Sequence, residues 1–330
     1  MAARKLMHAV QYNGYGGGPA ELQHVEIPIP IPQQDEVLIK VEATSINPFD
    51  WKVQKGMLWP LFPRKFPYIP GQDLAGEVVE VGSGIQNFKP NDKVIAMLDP
   101  FQGGELAEYA VAKESLVAKR PSEVSAHEGS GIPVAGLTAH HALTQCAGIK
   151  LNGSGPKRNL LITAASDGVG LYAAQLSKLG NTHVTATCGA RNIEFVRSLG
   201  ADEVIDYKTQ DGANLKSPSG KKYDAVINCA SCIAWSTFEP NLSDYGKVIE
   251  VTPRPSTMIR VALKKLTLSR KQLVPLFLDA KVENIEYLVR LVNQGKLKVV
   301  IDSKYSLSKV EDAWAKSIEV HATGKMTVEP

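Results

Sequence analysis

The segment Leu160–Gly180, LLITAASDGVGLYAAQLSKLG, has the residue types and spacing to hold a phosphate. An apolar run, Leu160-Leu161-Ile162, leads into a turn of small residues, Ala164-Ala165-Ser166-Asp167-Gly168-Val169-Gly170, and then into a pattern with Val169, Ala173 and Leu176 on one helical face. This order predicts strand, tight turn and helix. The first N–H groups of such a helix lack intrahelical acceptors and its dipole adds positive potential, so the segment predicts a dinucleotide seat. The turn also carries an acid, Asp167. A second spacing with chemical meaning is Cys229-Ala-Ser-Cys232, that of a redox pair. It follows the apolar run Ala225-Val226-Ile227 and lacks the rest of a thioredoxin-like pattern, which favours structural cysteines.

Composition narrows the setting for this chemistry. A chain of 330 residues is long enough for two cores, and 44% hydrophobic with 22% charged residues is ordinary for a globular protein. A formal charge of +3 without zinc-finger or basic-region spacing argues against nucleic acid as a partner. The four cysteines are too few and too clustered for a disulfide framework, which points to a reducing compartment. No apolar run reaches bilayer-crossing length.

From His8 to about Pro121, short apolar runs such as Val37–Val41, Glu77–Val81 and Val94–Met97 alternate with Gly and Pro, predicting a partly open β-barrel. From Asn159 strands and helices alternate, with strands expected at His183–Thr187, Glu203–Ile205, Asp224–Asn228, Lys247–Val251 and Leu273–Leu278. Such alternation predicts a doubly wound parallel sheet. At the end of the chain, Ile285, Leu288, Val289 and Val292 mark an amphipathic helix stopped by Gly295; Val299–Ile301 and Lys325–Val328 read as strands, and Val310–Ile318 as a helix. This tail is too short for its own core and is expected to pack on the N-terminal barrel.

The motifs Gly71-Gln-Asp73-Leu-Ala-Gly76, Val81-Gly82, Pro133-Val-Ala-Gly136-Leu-Thr138-Ala139, the strand-turn-helix above, Gly200-Ala201-Asp202 and Gly324-Lys325 follow one another over nearly the whole chain. In that order they resemble the medium-chain dehydrogenase/reductase superfamily, and within it the zinc-free quinone oxidoreductases. Asn47-Pro48-Phe-Asp50-Trp51-Lys52, Arg64-Lys65-Phe66-Pro67 and Gly148-Ile-Lys-Leu151 resemble the plant chloroplast-envelope branch. The resemblance implies a GroES-like catalytic domain, 1–130 with 281–330, and a Rossmann nucleotide-binding domain, 131–280. It also implies that zinc-dependent relatives place Cys at Asn47 and His at Gln72. Amides are poor zinc ligands, so no catalytic metal is expected.

The chemistry implied is hydride delivery from NADPH to an electrophilic carbon of an enone or quinone, with the protein orienting the reactants and stabilising the enolate. Asn47 is the expected enolate donor, with an Asn-Pro turn as the alternative. Asp50 and Lys52 read as a proton relay, as a pair orienting the ribose and nicotinamide, or as an ordinary surface pair. Thr138 matches the family position near the nicotinamide. His141, three residues on, is either a proton source near neutral pH or a helix-surface histidine.

At the end of the second Rossmann strand, Cys188-Gly-Ala-Arg191-Asn192 offers an arginine and no carboxylate, which favours the 2′-phosphate of NADPH over the free ribose of NADH. Tyr207 occupies the family position beside that phosphate, and Ser166, Gly168, Val169, Gly170, Cys229 and Thr252 complete the expected cofactor contacts. Mapped onto G-x-G-x-x-G, the glycine positions are Ala165, Asp167 and Gly170, and a carboxylate at the second opposes the pyrophosphate. At ~4–6 Å the repulsion is on the order of 1–4 kcal/mol.

Two functions follow: an NADPH-dependent reductase of conjugated enones or quinones acting on a largely apolar plant metabolite, or a protein of the same fold whose cofactor grip has weakened, serving as a non-redox catalyst or small-molecule binder. Met258–Leu273 reads as a basic amphipathic stretch: a solvated helix bordering the cleft, an oligomer contact or a peripheral membrane contact. The resemblance implies a plastid-envelope location and allows a homodimer. The absence of a cleavable transit pattern in MAARKLMHAV keeps the cytosol as the alternative.

Overall fold

The computed structural model describes residues 5–231, 233–266, 269–319 and 322–330. The chain divides into two compact units, 1–135 with 280–330, and 136–279.

The first unit opens with the antiparallel pair β1 (Leu6–Gln11) and β2 (Gln23–Pro28), followed by β3 (Glu36–Ile46), α1 (Pro48–Gln54), β4 (Asp73–Val81), β5 (Lys93–Met97), β6 (Tyr109–Lys113) and β7 (Val117–Lys119). Two helices follow, α2 (Ala126–Ser130) and α3 (Pro133–His141), the latter crossing into the second unit. Strand β3 is long and buried along nearly its whole length, so it pairs with three partners: β6 against Glu36–Lys40, β4 against Val37–Thr44, and the last strand of the chain against Thr44–Ile46.

The Asn47-Pro48 step is not a free turn. Asn47 is the N-cap of α1 and Pro48 its first residue, where a missing N–H costs nothing. The Asp50 carboxylate accepts from the Asn47 backbone N–H at 2.7 Å, half of a capping box.

The second unit is a six-stranded parallel sheet of order β10-β9-β8-β11-β12-β13. Its strands are β8 (Arg158–Thr163), β9 (Thr182–Cys188), β10 (Glu203–Asp206), β11 (Tyr223–Asn228), β12 (Leu242–Glu250) and β13 (Gln272–Pro275). Between them run α4 (Gly168–Ser177), α5 (Ile193–Ser198), α6 (Gln210–Ala213), α7 (Trp235–Phe238) and α8 (Pro255–Leu266). The order reverses direction beside β8, which places a ligand crevice at the carboxyl ends of β8 and β11. Helix α3 continues through Ala142–Cys146 with a wider turn, Ala147 N–H donating to Ala142 O at 2.9 Å. The basic stretch from Met258 forms α8 and β13, with Ile259 and Leu263 exposed; residues 267 and 268 lie outside the described residues.

The chain then returns to the first unit as α9 (Val282–Asn293), β14 (Ile301–Ser306), α10 (Val310–Glu319) and β15 (Lys325–Glu329). Fully buried Trp314 of α10 packs with Tyr12, Trp51 and Val328, and its indole N–H donates to Gln54 at 2.9 Å. The strand expected at Val299–Ile301 begins only at Ile301. Val299 is buried and packs close to Gly131 without joining a ladder, so its apolar character reports loop packing. The strand expected at Leu273–Leu278 stops at Pro275, just beyond which the Leu276 N–H makes a last bond to the Glu250 carbonyl at 3.0 Å.

Candidate active site

The sheet of the first unit gathers a buried polar centre from residues far apart in the chain. Pairing of β15 with β3, Met326 opposite Ile46, brings Lys325 to Asn47, and β4 begins with Asp73 beside them. The Lys325 ammonium donates to Asn47 Oδ1 at 2.6 Å and lies 3.5 Å from Asp73 Oδ2. Asn47 Nδ2 donates to Asp73 Oδ2 at 2.8 Å and to the Ser45 carbonyl at 3.2 Å. Asp73 also accepts from Ser45 Oγ at 3.0 Å and from the Val134 backbone N–H at 2.8 Å. Burial raises the Asp73 pKa against the opposing pull of Lys325 and these donors.

This geometry bears directly on the role expected of Asn47. Both protons of its amide are already donated inward, and it is buried. In this arrangement the side chain positions Lys325 and Asp73. Gln72, the residue before Asp73, is also buried. No group of three or more His, Cys, Asp or Glu among the described residues is placed to hold a metal ion, and the ammonium between Asn47 and Asp73 sets positive charge where a cation would have to sit.

Asp50 and Lys52, two residues apart on α1, face different ways. Asp50 is buried and its pKa is pushed up to about 7, by burial first and then by Asp73, against the Asn47 N–H, Lys325 and Arg64. The Lys52 ammonium lies 5.5 Å from the Trp51 ring centre. Glu105 is a third buried acid, donated to by the Asp73 backbone N–H. Burial, Asp50 and Asp73 push its pKa well above the ordinary range. The backbone makes room for it at Gly71, with φ +97°, where a Cβ would fall 1.7 Å from the Glu105 side chain. Lys325, Asp73, Glu105 and Arg64 contribute to this centre and were not candidates from sequence; the Gly324-Lys325, Gly71-Gln-Asp73 and Arg64-Lys65-Phe66-Pro67 motifs were the signals for three of them, and nothing signalled Glu105.

In the second unit the phosphate turn follows β8 as strand, turn and helix. Asp167 is the N-cap of α4 in an extended conformation (φ −84°, ψ 173°), and its side chain caps none of the helix N–H groups. The N–H groups of Gly168, Val169 and Gly170 therefore remain available to a phosphate, as the turn requires. Gly170 packs against the turn: a Cβ there would lie 2.2 Å from the Ala164 carbonyl oxygen. Ser166 is buried beside it, whereas Gly168 and Val169 are half-buried. Half-buried Asp167 has a pKa pushed up to about 7 by burial, so near neutrality much of it is uncharged. The turn thus fits a dinucleotide best with Asp167 protonated.

Around the carboxyl ends of the strands, Thr163 Oγ1 donates to Asn228 Oδ1 at 2.7 Å and accepts from the Cys229 N–H at 3.0 Å; Asn228 Nδ2 donates to Glu250. This ties β8, β11 and β12 together at the crevice. The Cys229 thiol pKa is raised by burial, then by Asp167 and Glu250, which makes it a poor thiolate. Cys232, its expected partner in the CxxC spacing, lies outside the described residues. Thr252 follows β12 at the same edge and is half-buried.

Arg191 lies exposed in the turn Ala190–Asn192 after β9, and Tyr207, half exposed, packs 3.6 Å from the Cβ position of Gly189. Lys208, not foreseen from sequence, lies with its ammonium 5.8 Å from the Tyr207 ring centre and adds charge to this corner. Thr138 is buried in α3, and His141 sits one turn further on, half-buried. Neighbouring His140 has its pKa lowered by burial and then by His141, which favours its neutral form.

Residues 33–122 match the alcohol dehydrogenase GroES-like domain, and 199–328 match the family described as zinc-binding dehydrogenase. A chloroplast envelope quinone oxidoreductase homolog of Arabidopsis thaliana is 66% identical over 99% of this chain and all of its own length. An NADPH-dependent alkenal/one oxidoreductase of the same plant is 32% identical, over 99% of this chain and 80% of that protein. The solved quinone oxidoreductase of Coxiella burnetii superposes with a TM-score of 0.88 at 29% identity, over 99% of this chain and 100% of that one. The chain therefore belongs to the medium-chain dehydrogenase/reductase superfamily, grouped with the quinone oxidoreductase homologues, and is an oxidoreductase with a nicotinamide-cofactor fold.

Proposed function

We propose that this protein is an NADPH-dependent, zinc-independent reductase of conjugated C=C bonds in α,β-unsaturated carbonyls, or of quinones. The observation that carries the choice of cofactor is Arg191, exposed in the turn directly after β9, where Cys188–Asn192 offers no carboxylate for a ribose diol; Tyr207 and Lys208 follow Asp206 at the neighbouring end of β10. The alkenal/one oxidoreductase named above supports the enone class, and the envelope homologue supports quinones. NADPH supplies a hydride, and with one proton the enone becomes the saturated ketone. The chain's part is to hold the pyrophosphate on the first N–H groups of α4, to grip the 2′-phosphate at Arg191, and to shape an apolar substrate site. Asn47 and Lys325 act by positioning.

Loss of absorbance at 340 nm with trans-3-decen-2-one or a benzoquinone tests the reading. Turnover with NADPH well above that with NADH is the expected result, and oxidation of neither cofactor with any enone or quinone overturns it. Asp167 favours a second reading, a weakened cofactor grip, because a carboxylate at the second glycine position is unanswered by any cap. The high identity to the Arabidopsis envelope homologue supports a chloroplast location, and α8, with exposed Ile259 and Leu263, suits peripheral contact with anionic lipid. Salt-sensitive co-sedimentation with anionic vesicles is expected; indifference to vesicles would remove the membrane contact.

A further inference from the structure

The parallel sheet of the second unit carries a small cleft at its amino end, at the opposite end of β8 from the phosphate turn. Strand register builds it. Leu160 of β8 and Lys247 of β12 both pair with Ala225 of β11, so the three side chains stand abreast on one face, and Arg158, two residues before Leu160, points the same way. Ile149, from the segment after α3, and Tyr245, beside the slip in register that precedes Lys247, complete the lining of a cavity of about 160 Å³. Its mouth is open to solvent, since Arg158 and Tyr245 are exposed and Lys247 is half-buried.

The charges around it are unevenly answered. Neither the Arg158 guanidinium nor the Lys247 ammonium hydrogen-bonds to, or pairs with an acid of, any described residue. Asp224, the acid of the lining, is satisfied within the fold: one carboxylate oxygen accepts from the Asn159 N–H at 2.9 Å and the other from Ser243 Oγ at 3.0 Å. Two cations thus face one committed carboxylate. Arg270 adds a third positive charge at the rim, its guanidinium carbon 5.7 Å from the Tyr245 ring centre. Beneath them, buried Ile149, Leu160 and Ala225 form an apolar floor.

Size and chemistry together define the occupant. A cavity of about 150 Å³ takes a molecule as large as benzene, whereas drug-sized ligands ask for about 300–1,000 Å³. A nucleotide is therefore too large. Two cations over an apolar floor suit a carboxylate head on a short hydrocarbon stem.

We propose that this cleft binds a small aliphatic carboxylate, with its head on Arg158 and Lys247 and its stem over Leu160 and Ala225, at a site separate from the cofactor seat. The assignment does not depend on the reductase reading.

The test titrates butyrate, inorganic phosphate and neutral butyramide into the full-length protein, following the amide NMR shifts of Leu160, Ala225 and Lys247 with and without saturating NADPH. Butyrate is expected to saturate these shifts with a Kd on the order of millimolar, unchanged by NADPH. Butyramide leaves them unmoved, and phosphate, which has charge but no stem, binds more weakly. R158Q and K247Q each weaken butyrate by about tenfold, and the double variant removes binding. Absence of saturable binding, an equal response to butyramide, phosphate as tight as butyrate, or wild-type affinity in the double variant overturns the assignment. Displacement by NADPH overturns it too, because it places butyrate at the cofactor seat. Should K247Q not fold, R158Q at its exposed position and the wild-type comparison of butyrate with butyramide still decide.

Discussion

Two aspartates, one in each unit, show opposite uses of a carboxylate. Asp73 is fully buried and meets Lys325, the Asn47 amide, the Ser45 hydroxyl and the Val134 N–H. Asp167 stands at the head of α4, half-buried, and caps nothing. The first is consumed in holding β3, β4 and β15 together. The second is available, and in a phosphate turn availability means that its protonation state becomes part of ligand binding.

The largest expected effect is on the partnered side. Replacing Lys325 by Met leaves Asp73 buried with its amide and hydroxyl donors but no ammonium, and should cost about 3–5 kcal/mol of stability in urea unfolding. A loss under about 1 kcal/mol would mean that the pair is not what holds the centre. On the ligand side, R191A should weaken NADPH by roughly ten- to a hundredfold, the range of a charged hydrogen bond, and leave NADH nearly unchanged. Equal weakening of both cofactors would move the 2′-phosphate away from Arg191.

A smaller effect concerns Asp50. Its folded pKa, about 7, lies above the ordinary 3.8, so between those values the folded state holds the extra proton. Its stabilising contribution is complete below about pH 4 and is lost as pH rises through 7, at a slope approaching about 1.4 kcal/mol per pH unit. D50N should flatten that part of the stability–pH curve, and an unchanged slope would assign it to another group.

The fold was largely legible in the sequence, because periodicity and turn residues report on neighbours close in the chain. The strand, turn and helix at Leu160–Gly180 became β8 and α4, and the amphipathic pattern from Ile285 became α9. The buried centre was not legible in the same way. Lys325 meets Asn47 across 278 positions of sequence through one strand register, and no local pattern encodes that pairing. The sequence offers Asn47 as a candidate enolate donor, yet which of its protons are committed depends on Ser45 and Asp73, partners that only the sheet reveals. Arg64 likewise read as part of a family motif, and its burial beside the Tyr68 and Phe101 rings appears only in the fold. In the turn, Asp167 was visible as an anomaly; the rise in its pKa, which comes from desolvation, was not.

That rise supplies the most direct test of the central claim, that this is an NADPH-binding oxidoreductase whose phosphate turn works with Asp167 protonated. NADPH titrated by fluorescence into wild type and D167G from pH 6 to 8 separates this carboxyl from the cofactor's own titration. The account predicts saturable binding to wild type that weakens as pH rises through about 7, and D167G binding on the order of tenfold tighter at pH 8 with a flatter profile. Parallel profiles for the two proteins, or no saturable binding by wild type at millimolar NADPH, would contradict it.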